Sequence, residues 1–351
     1  MYGYGLFKKR EFNKMILLDS VYINTGGGLV LLKYLVDCFE SAFDNVFYLF
    51  DKRTENIFKK IPLEKKMFIS NSILERYFFY KKNKHQFNKV ICFGNLPPNI
   101  RLNAKVFVYF HQKLFLEIPG NFSIKNKFII FFKQNILNFI KNNTDYWLVQ
   151  SNTMKIELAK KYFNGFSGKI VKLPFYPKLE FSKLSVPRIA GSLLYVSNSS
   201  PHKNHYKLIE SFCLAYDEIN KSSLTITVPI SDVNLCDLIK EKINLGYPII
   251  NVGFIEREKL AELYLSHEYL IFPSLAESFG LGLAEAIDGG CKIIAADLNY
   301  TYEVCEPSLV FNPYSVESMK NAIVTAVQNE LPYAQKLIEN DISKIMQLLA
   351  D

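Results

Sequence analysis

The feature that most constrains the fold is a repeated alternation of short apolar runs with longer segments of helical periodicity. This alternation is typical of βαβ units, so the predicted class is α/β with mostly parallel sheets. Ten runs are predicted as strands: 15–18, 46–49, 89–93, 106–110, 146–150, 193–197, 224–228, 249–252, 269–272 and 292–295. Six helices are predicted between them: 29–39, 123–141, 204–216, 233–245, 258–266 and 282–288.

The alternation stops once, in a segment that separates two series of strands and helices. Residues 173–187 carry three prolines and no clear period, which is typical of a linker. At 351 residues, the chain is long enough for two domains. We expect Rossmann-like, doubly wound domains over residues 15–177 and 178–330, and a C-terminal helix within 331–351. Residues 1–14 fit neither domain and are expected to be a tail.

Two doubly wound domains that face each other would hold a ligand in a central cleft. The cleft would lie at the carboxyl ends of the strands, where ligands bind to open α/β sheets. Functional residues are therefore expected in segments that follow predicted strands.

Charge is distributed unevenly along the chain. Residues 1–175 hold 28 Lys and Arg against 12 Asp and Glu, a formal charge of +16, and the remainder carries −8. This difference indicates two units with different partners. A basic unit suits an anionic membrane surface or nucleic acid, and a merely solvated basic surface is the alternative. No nucleic-acid-binding module is recognisable, so nucleic acid is not expected as a partner.

Several classes of protein do not fit the sequence. Apolar runs stay well below the ~18 residues of a membrane-spanning helix, and the N-terminal residues lack the apolar core of a signal peptide. The six cysteines are scattered without a C-x-x-C pair, which indicates reduced thiols in the cytoplasm. No spacing of histidines or acidic residues suggests a metal site, so neither a catalytic metal nor a cofactor is expected.

The most informative segment for function joins a predicted strand to a predicted helix. In chain order it reads Pro273-Ser274-Leu275-Ala276-Glu277-Ser278-Phe279-Gly280-Leu281-Gly282-Leu283-Ala284-Glu285-Ala286. The backbone N–H groups of such a loop, with a helix N-terminus behind them, suit an anion such as phosphate. Glu277 and Glu285 bracket that site, and a carboxylate accepts two hydrogen bonds from a vicinal diol. From spacing alone, the alternative is a helix-capping loop with ordinary surface acids.

This segment resembles the donor-binding signature of glycosyltransferase family 4, whose members have the GT-B fold. In that signature two glutamates are separated by seven residues, as Glu277 and Glu285 are. The resemblance implies that Glu277 bonds hydroxyls of the transferred sugar and that Glu285 bonds the ribose diol. It also implies donor-binding amides: Ser278, Phe279, Gly280 and Leu281. Residues 290–295 resemble the strand that follows in the family, with Lys292 where proline is usual.

A second match lies upstream, in residues 195–204. Lys203 stands beside a predicted helix N-terminus, which suits the diphosphate leaving group of a nucleotide sugar, although an ordinary surface lysine is the alternative. The family also has an arginine, whose position falls near Ser197 or Asn198, so that cation is missing here. The missing arginine leaves a rival function open, a non-catalytic nucleotide-sugar-binding protein of the same fold.

Two further candidates lie in the first half of the chain. Gly26, Gly27 and Gly28 resemble the glycine turn after the first strand of the family, where bare backbone approaches the donor; a simple tight turn is the alternative. They do not form G-x-G-x-x-G, so a dinucleotide-dependent oxidoreductase is not indicated. His111 follows a predicted strand, and the family often has a histidine there, near the donor sugar and acceptor; a purely structural histidine is the alternative.

The resemblance as a whole implies a retaining, metal-independent glycosyltransferase of the hexosyltransferase type that uses a UDP- or GDP-sugar. The first domain would bind the acceptor, the second would bind the donor, and the C-terminal helix would pack back on the first. The acceptor is expected to be a lipid-linked oligosaccharide in bacterial O-antigen or capsule assembly. The protein would then be cytoplasmic and peripheral on the inner face of the membrane. Catalytic roles are predicted for three residues: His111, Lys203 and Glu277.

Two segments of the basic half are candidate membrane contacts. Residues 77–84 place four aromatics beside three lysines, and residues 124–141 combine apolar side chains with Lys125, Lys127, Lys133 and Lys141. Aromatic side chains flanked by lysines suit the headgroup level of a bilayer. The alternative is that the segments pack on the sheet of their own domain.

Overall fold

The computed structural model describes residues 15–118, 124–181 and 186–351. The predicted tail, 1–14, and part of the predicted linker, 182–185, lie outside the described residues. The chain forms two units. The first contains the residues up to Pro177 together with Asn340–Asp351, and the second is Lys178–Glu339.

The first unit is built on a seven-stranded sheet in which every pairing is parallel. Its strands are β1 (Met15–Asp19), β2 (Val46–Asp51), β3 (Lys66–Ile69), β4 (Phe87–Cys92), β5 (Lys105–Phe110), β6 (Tyr146–Val149) and β7 (Ile170–Lys172). Its connecting helices are α1 (Gly26–Ala42), α2 (Ile73–Asn83), α3 (Ile124–Ile140) and α4 (Asn152–Tyr162). The strand order is β3-β2-β1-β4-β5-β6-β7.

The second unit repeats this plan with a six-stranded parallel sheet. Its sheet strands are β8 (Ile189–Tyr195), β9 (Ser223–Ile226), β10 (Ile249–Asn251), β11 (His267–Phe272), β12 (Lys292–Ala296) and β14 (Leu309–Phe311). Its helices are α5 (His205–Ile219), α6 (Val233–Asn244), α7 (Arg257–Ser266), α8 (Leu281–Asp288), α9 (Asn299–Val304) and α10 (Val316–Gln328). A short antiparallel pair joins β13 (Cys305–Glu306) to β15 (Gln335–Lys336).

Both sheets have the strand order of the Rossmann fold. The second sheet runs β10-β9-β8-β11-β12-β14, which is the order 3-2-1-4-5-6 counted from its own first strand. The predicted class, two α/β units with doubly wound parallel sheets, is therefore confirmed. In each unit the strand order reverses beside the first strand, between β1 and β4 and between β8 and β11. The loops at the carboxyl ends of these strands are where such sheets bind ligands.

The chain ends in α11 (Ile342–Ala350), which belongs to the first unit. The helix begins later than residue 331, because the preceding residues remain in the second unit and contain β15. Lys89 on β4 is 7% exposed, and its Nζ donates to the carbonyl of Leu349 at 2.8 Å. A cation at the C-terminal end of a helix is favoured by the helix dipole, so Lys89 stabilises the docked helix.

A buried ion pair organises the carboxyl end of the first sheet. Asp19 at the end of β1 and Arg76 on α2 are 1% and 2% exposed, and Arg76 Nε donates to Asp19 Oδ2 at 2.7 Å. Tyr80 donates its hydroxyl to the same carboxylate oxygen at 2.5 Å. The remaining guanidinium nitrogens donate to the carbonyls of Leu96 and Pro97 at 2.8 and 2.6 Å. The pair thereby ties β1 and α2 to the loop that follows β4.

Replacing Arg76 with Met should lower the free energy of unfolding by about 3–5 kcal/mol, because Asp19 would remain buried without its cation. Denaturant titration followed by circular dichroism measures this change. The matched control is Arg101→Met, because Arg101 pairs with Asp145 but is 52% exposed. Its expected cost is about 0–1 kcal/mol. Equal losses in the two variants would contradict the organising role of the Asp19–Arg76 pair.

Candidate functional site

In the second unit, the loops after β8 and β11 are held together by backbone and side-chain hydrogen bonds. The N–H of Leu275 donates to the carbonyl of His202 at 2.7 Å. Asn204 is 8% exposed, and its amide donates to the carbonyl of Pro273 at 3.2 Å and to that of Pro313 at 2.9 Å. Asn204 also has a φ of 62°, a left-handed conformation that asparagine tolerates better than most residues. The two loops therefore form one preorganised surface.

The predicted catalytic residues Lys203 and Glu277 meet on this surface. Lys203 Nζ donates to Glu277 Oε1 at 2.5 Å, and the two side chains are 15% and 13% exposed. The hydroxyl of Tyr195, at the end of β8, donates to the backbone carbonyl of Lys203 at 2.8 Å and fixes the lysine's backbone. The site thus offers a cation and a carboxylate side by side, both partly accessible to a ligand.

The four predicted donor-binding amides lead into α8. Gly280 is the residue before the helix and has a φ of 77°, which a side chain at this position would oppose. Phe279 is 7% exposed and anchors the loop in the core. Leu281 is the first residue of α8, and Ser278 lies in the loop before it. The first N–H groups of a helix have no partner within the helix, so this end of α8 suits an anion.

Glu285 lies one turn inside α8 and is 4% exposed. Arg257, the first residue of α7, donates to its Oε1, and the Tyr264 hydroxyl donates to its Oε2 at 3.2 Å. Burial raises the pKa of the Glu285 carboxyl, and the Arg257 guanidinium opposes that rise. A carboxylate has about four acceptor positions, so these two bonds leave about two for a diol.

The arginine expected from the family would fall near Ser197 or Asn198, and the Ser197 hydroxyl donates to the carbonyl of Asn198 at 3.0 Å. Its backbone is fixed from the neighbouring strand, because Ser197 N donates to Thr227 Oγ1 at 2.9 Å. Gly282 of α8 lies close by, and a Cβ there would lie 4.0 Å from the carbonyl oxygen of Val196. Such a Cβ would also lie 3.7 Å from the Tyr264 hydroxyl that bonds Glu285. Gly282 thus packs between Val196, which follows β8, and the tyrosine that bonds Glu285.

His111 lies in the first unit, directly after β5. Its N–H donates to Asn95 Oδ1 at 2.7 Å, and its ring stacks on Phe93 at 4.8 Å between centroids. Nε2 lies 3.0 Å from the carbonyl oxygen of Phe93, which can only accept, and 3.4 Å from Asn95 Nδ2, which can only donate. The shorter contact favours a proton on Nε2 and a lone pair on Nδ1. Burial lowers the pKa of His111 to about 4, so the ring is neutral at neutral pH.

Gly26, Gly27 and Gly28 form the first turn of α1, which begins at Gly26 rather than at residue 29. Gly26 has a φ of 65°, and a Cβ on Gly26 or Gly27 would meet no atom within 4 Å. Gly28 differs, because a Cβ there would lie 3.3 Å from Cε1 of His111. The structure thus brings the glycine turn next to His111, and the donor-binding role of Gly26 and Gly27 stays a prediction.

Sequence reasoning missed three residues that shape these sites: Asn95, Tyr264 and Arg257. Arg257 stands at the start of a predicted helix, and nothing in its local sequence distinguishes it from a surface cation. Its partner Glu285 was identified, so the signal that could have found Arg257 is the need of a buried carboxylate for a cation.

Among the described residues, neither a metal-binding cluster nor a membrane-spanning helix is found. No group of three or more His, Cys, Asp or Glu side chains there is arranged to hold a metal ion. In the same residues, every helix is too short or too polar to span a bilayer. The metal independence inferred from the sequence stays a prediction.

Comparison with known protein families gives a match that covers most of the second unit. Residues 183–344 match the family described as glycosyl transferases, group 1. The matched region contains both loops of the candidate site, with Lys203, Glu277 and Glu285. The resemblance to glycosyltransferases is therefore confirmed for this part of the chain, and the narrower assignment to family 4 stays a prediction.

One curated relative is the O-antigen chain mannosyltransferase B of Escherichia coli, which is 26% identical over 144 residues. The match covers 40% of this chain and 38% of that relative. The chain thus aligns with about two fifths of the relative's length.

Two solved structures cover most of the chain. A sucrose-phosphate synthase from Thermosynechococcus elongatus has a TM-score of 0.69 at 18% identity, with 90% of each chain covered. Anabaena HepE in complex with UDP and glucose has a TM-score of 0.63 at 15% identity, again with 90% of each chain covered. These similarities show the fold alone, and the chain has the predicted GT-B fold.

Replacing Arg257 with Gln should destabilise the protein more at about pH 8 than at about pH 4, because the pKa of Glu285 would rise further. A carboxyl whose pKa is raised on folding binds more protons when folded, so stability falls as pH increases from its unfolded pKa through its folded pKa. Denaturant titrations at several pH values measure the difference. The double variant with Glu285→Gln should lose the added pH dependence. If Arg257→Gln lowered the free energy of unfolding by the same amount at every pH, the electrostatic role of Arg257 would be refuted.

Proposed function

We propose that the protein is a retaining glycosyltransferase that moves a sugar from a UDP- or GDP-sugar to an acceptor hydroxyl. The observation that carries the proposal is the Lys203–Glu277 pair beside the N-terminus of α8. The pair is held there by the hydrogen-bonded loops after β8 and β11. The family match over residues 183–344 supports it, because that region contains these residues. The relative named as an O-antigen mannosyltransferase supports a role in surface polysaccharide assembly.

The diphosphate of the donor would bind where positive charge is concentrated. Lys203 Nζ and the amides of residues 278–281 would surround it, and they would stabilise the charge that develops as the glycosidic bond to the diphosphate breaks. Because these groups are fixed before the ligand arrives, little reorganisation is needed during the reaction. Arg257 would contribute positive charge beside Glu285, to which it donates.

The two carboxylates would bind the two sugars of the donor. Glu277 would accept hydrogen bonds from hydroxyls of the transferred sugar while Lys203 holds its carboxylate in position. Glu285 would accept from the ribose diol with the acceptor positions that Arg257 and Tyr264 leave open. A site built to hydrogen-bond hydroxyls rejects analogues that lack them, because buried polar groups would stay unpaired.

The transfer itself would occur on the face of the sugar from which the leaving group departs. The acceptor oxygen forms the new bond to the anomeric carbon as the bond to the diphosphate breaks, and the leaving phosphate takes the acceptor proton. This route needs no enzyme nucleophile and no metal. Neutral His111, with its Nδ1 lone pair, would orient a hydroxyl rather than supply charge.

The acceptor would be a lipid-linked oligosaccharide bound by the basic first unit. The protein would then act in the cytoplasm, at the inner face of the membrane. The rival is a nucleotide-sugar-binding protein of the same fold without turnover, which the serine at position 197 favours.

Lys203→Ala should reduce kcat by about 10²–10³, as for the loss of one oxyanion-stabilising donor, while the stability of the fold changes little. Sugar transfer or donor hydrolysis over a panel of UDP- and GDP-sugars measures the effect. Lys221→Ala, an exposed lysine of the same unit, is the control and should leave kcat unchanged. A wild-type protein that binds nucleotide sugars but turns none over would support the rival and exclude the enzyme.

The matching nucleotide should raise the melting temperature of the wild type by about 5–10 °C at a concentration near 100 Kd, because it binds the folded state alone. A thermal-shift screen of UDP, GDP and their sugars identifies it. Glu285→Gln should show a smaller shift with the same nucleotide, because the ribose diol loses its ionic acceptor. If no nucleotide changes the melting temperature, the donor site is misassigned.

A further inference from the structure

Helix α3 of the first unit has one face in the core and a second face in solvent. On the inner face, Ile130, Leu137 and Ile140 are 9%, 0% and 6% exposed. Gln134 on this face is also buried and donates to the carbonyl of Leu114 at 3.0 Å. The helix is therefore firmly packed on its unit, as one interpretation of its sequence predicted.

The outer face is mostly apolar, with the exposed side chain of Asn135 among its apolar residues. Its five most exposed large apolar side chains are Ile124 at 88%, Phe128 at 71%, Phe131 at 57%, Phe132 at 60% and Phe139 at 88% exposed. At about 100° per residue, these positions fall within a stripe about 100° wide. We call these five residues the α3 stripe. Single exposed apolar residues are ordinary on a protein surface, but a contiguous set marks a site of contact.

The charges around the α3 stripe indicate the sign of its partner. Helix α3 contains no Asp or Glu. Lys125 follows the first stripe residue and is exposed, and Lys127 and Lys133 lie on the same helix. The first half of the chain carries an excess of positive charge. An apolar ridge with flanking lysines and no acids complements a surface that is apolar inside and anionic outside.

We propose that α3 lies in the interface of an anionic bilayer, with the α3 stripe inserted below the headgroups and its lysines among them. This proposal rests on the proposed function, because it names the surface that would bring the first unit to a lipid-borne acceptor. Aromatic rings tolerate the headgroup level, and long lysine side chains reach back to phosphates. The contact is peripheral, since α3 has 17 residues and lies along its unit.

The other membrane candidate from the sequence fits less well. Residues 77–84 fall largely in α2, where Phe79 and Tyr80 are 6% and 0% exposed and pack in the core. Of the four aromatics, Phe78 is the one with a mostly exposed side chain, at 60%. The alternative of packing on the sheet therefore holds for half of these aromatics.

Self-association through the α3 stripe is a less suitable explanation. Two copies would bring lysines of one helix towards lysines of the other, with no acidic residue on α3 to pair with them. Lysine is depleted at protein interfaces, whereas it is favoured beside anionic lipid.

The test uses the full-length protein and flotation with vesicles of phosphatidylglycerol and phosphatidylcholine, against vesicles of phosphatidylcholine alone. The wild type should float with the anionic vesicles, and binding should weaken with salt because exposed charges are screened. The double variant Phe128→Ser/Phe132→Ser should lower the partition coefficient about tenfold or more. Lys125→Gln should lower it about fivefold on anionic vesicles alone.

The matched control is Phe254→Ser, because Phe254 is 79% exposed but belongs to the second unit. It should bind vesicles like the wild type. Absence of flotation by the wild type, or unchanged flotation of the double variant, would overturn the proposal. So would a wild type that is dimeric in light scattering and becomes monomeric on the double substitution.

A nucleotide thermal shift on the same samples separates this proposal from the proposed function. A protein that responds to nucleotide but does not float overturns the membrane contact alone. A protein that floats through the α3 stripe without any response to nucleotide supports the contact and removes the proposed donor site. The double variant should keep the wild-type response to nucleotide, because its substitutions lie outside the second unit.

Discussion

The ion pair between Asp19 and Arg76 is the interaction on which the functional end of the first unit depends. Two charges with almost no exposure are tolerable only because each is fully hydrogen-bonded. Arg76 fixes the carbonyls that directly follow Asn95, and Asn95 in turn bonds the backbone of His111. The position of the candidate catalytic residue His111 thus depends on Arg76, which lies on α2. Burial also raises the pKa of the adjacent Cys92 to about 12, so its thiol stays protonated and adds no second negative charge.

In the second unit, a different set of groups holds the loops at the carboxyl end of the sheet in place. Its loops after the first and fourth strands are joined by one backbone bond, the Asn204 amide and the Lys203–Glu277 pair. Here the ionic groups stay partly accessible, so a ligand can bind to them. Glu285 in this unit is buried. Arg257 donates a hydrogen bond to its carboxylate, as Arg76 does to Asp19. In both units a buried carboxylate at the carboxyl end of the sheet is held by an arginine from the first turns of a neighbouring helix.

Much of the fold could be predicted from the sequence, because central strands of parallel sheets are buried on both faces and appear as apolar runs. The ten predicted strands are all present. The sheet strands that were missed are β3, β7 and β14, and each lies at a sheet edge. Edge strands are short and partly exposed, so β3 and β7 carry lysines at Lys66 and Lys172 instead of a continuous apolar run. The start of α1 was missed for a different reason, since glycines favour a turn in isolation and the helix is imposed by packing.

The candidate site was predictable where chemistry depends on neighbours in sequence, and not where it depends on neighbours in space. The loop from Pro273 to Gly280 was found because its residues are contiguous. The contact between Arg257 and Glu285 spans 28 positions and leaves no local pattern. For α3, the sequence likewise did not determine which of its apolar residues are buried. An apolar periodicity gives the number of apolar residues on a helix, but the packing of the unit decides which of them are covered.

The buried acids also explain why the surface of the first unit is basic. Asp19 and Asp51 are each 1% exposed and are paired with Arg76 and Arg53. These carboxylates are therefore used inside the first unit and contribute little to the potential of its surface, whereas most of its lysines extend into solvent. The internal ion pairs that order the sheet thus leave the exterior dominated by lysine. A surface of this kind attracts an anionic partner over several ångströms, and the α3 stripe supplies the short-range apolar contact that charge alone lacks.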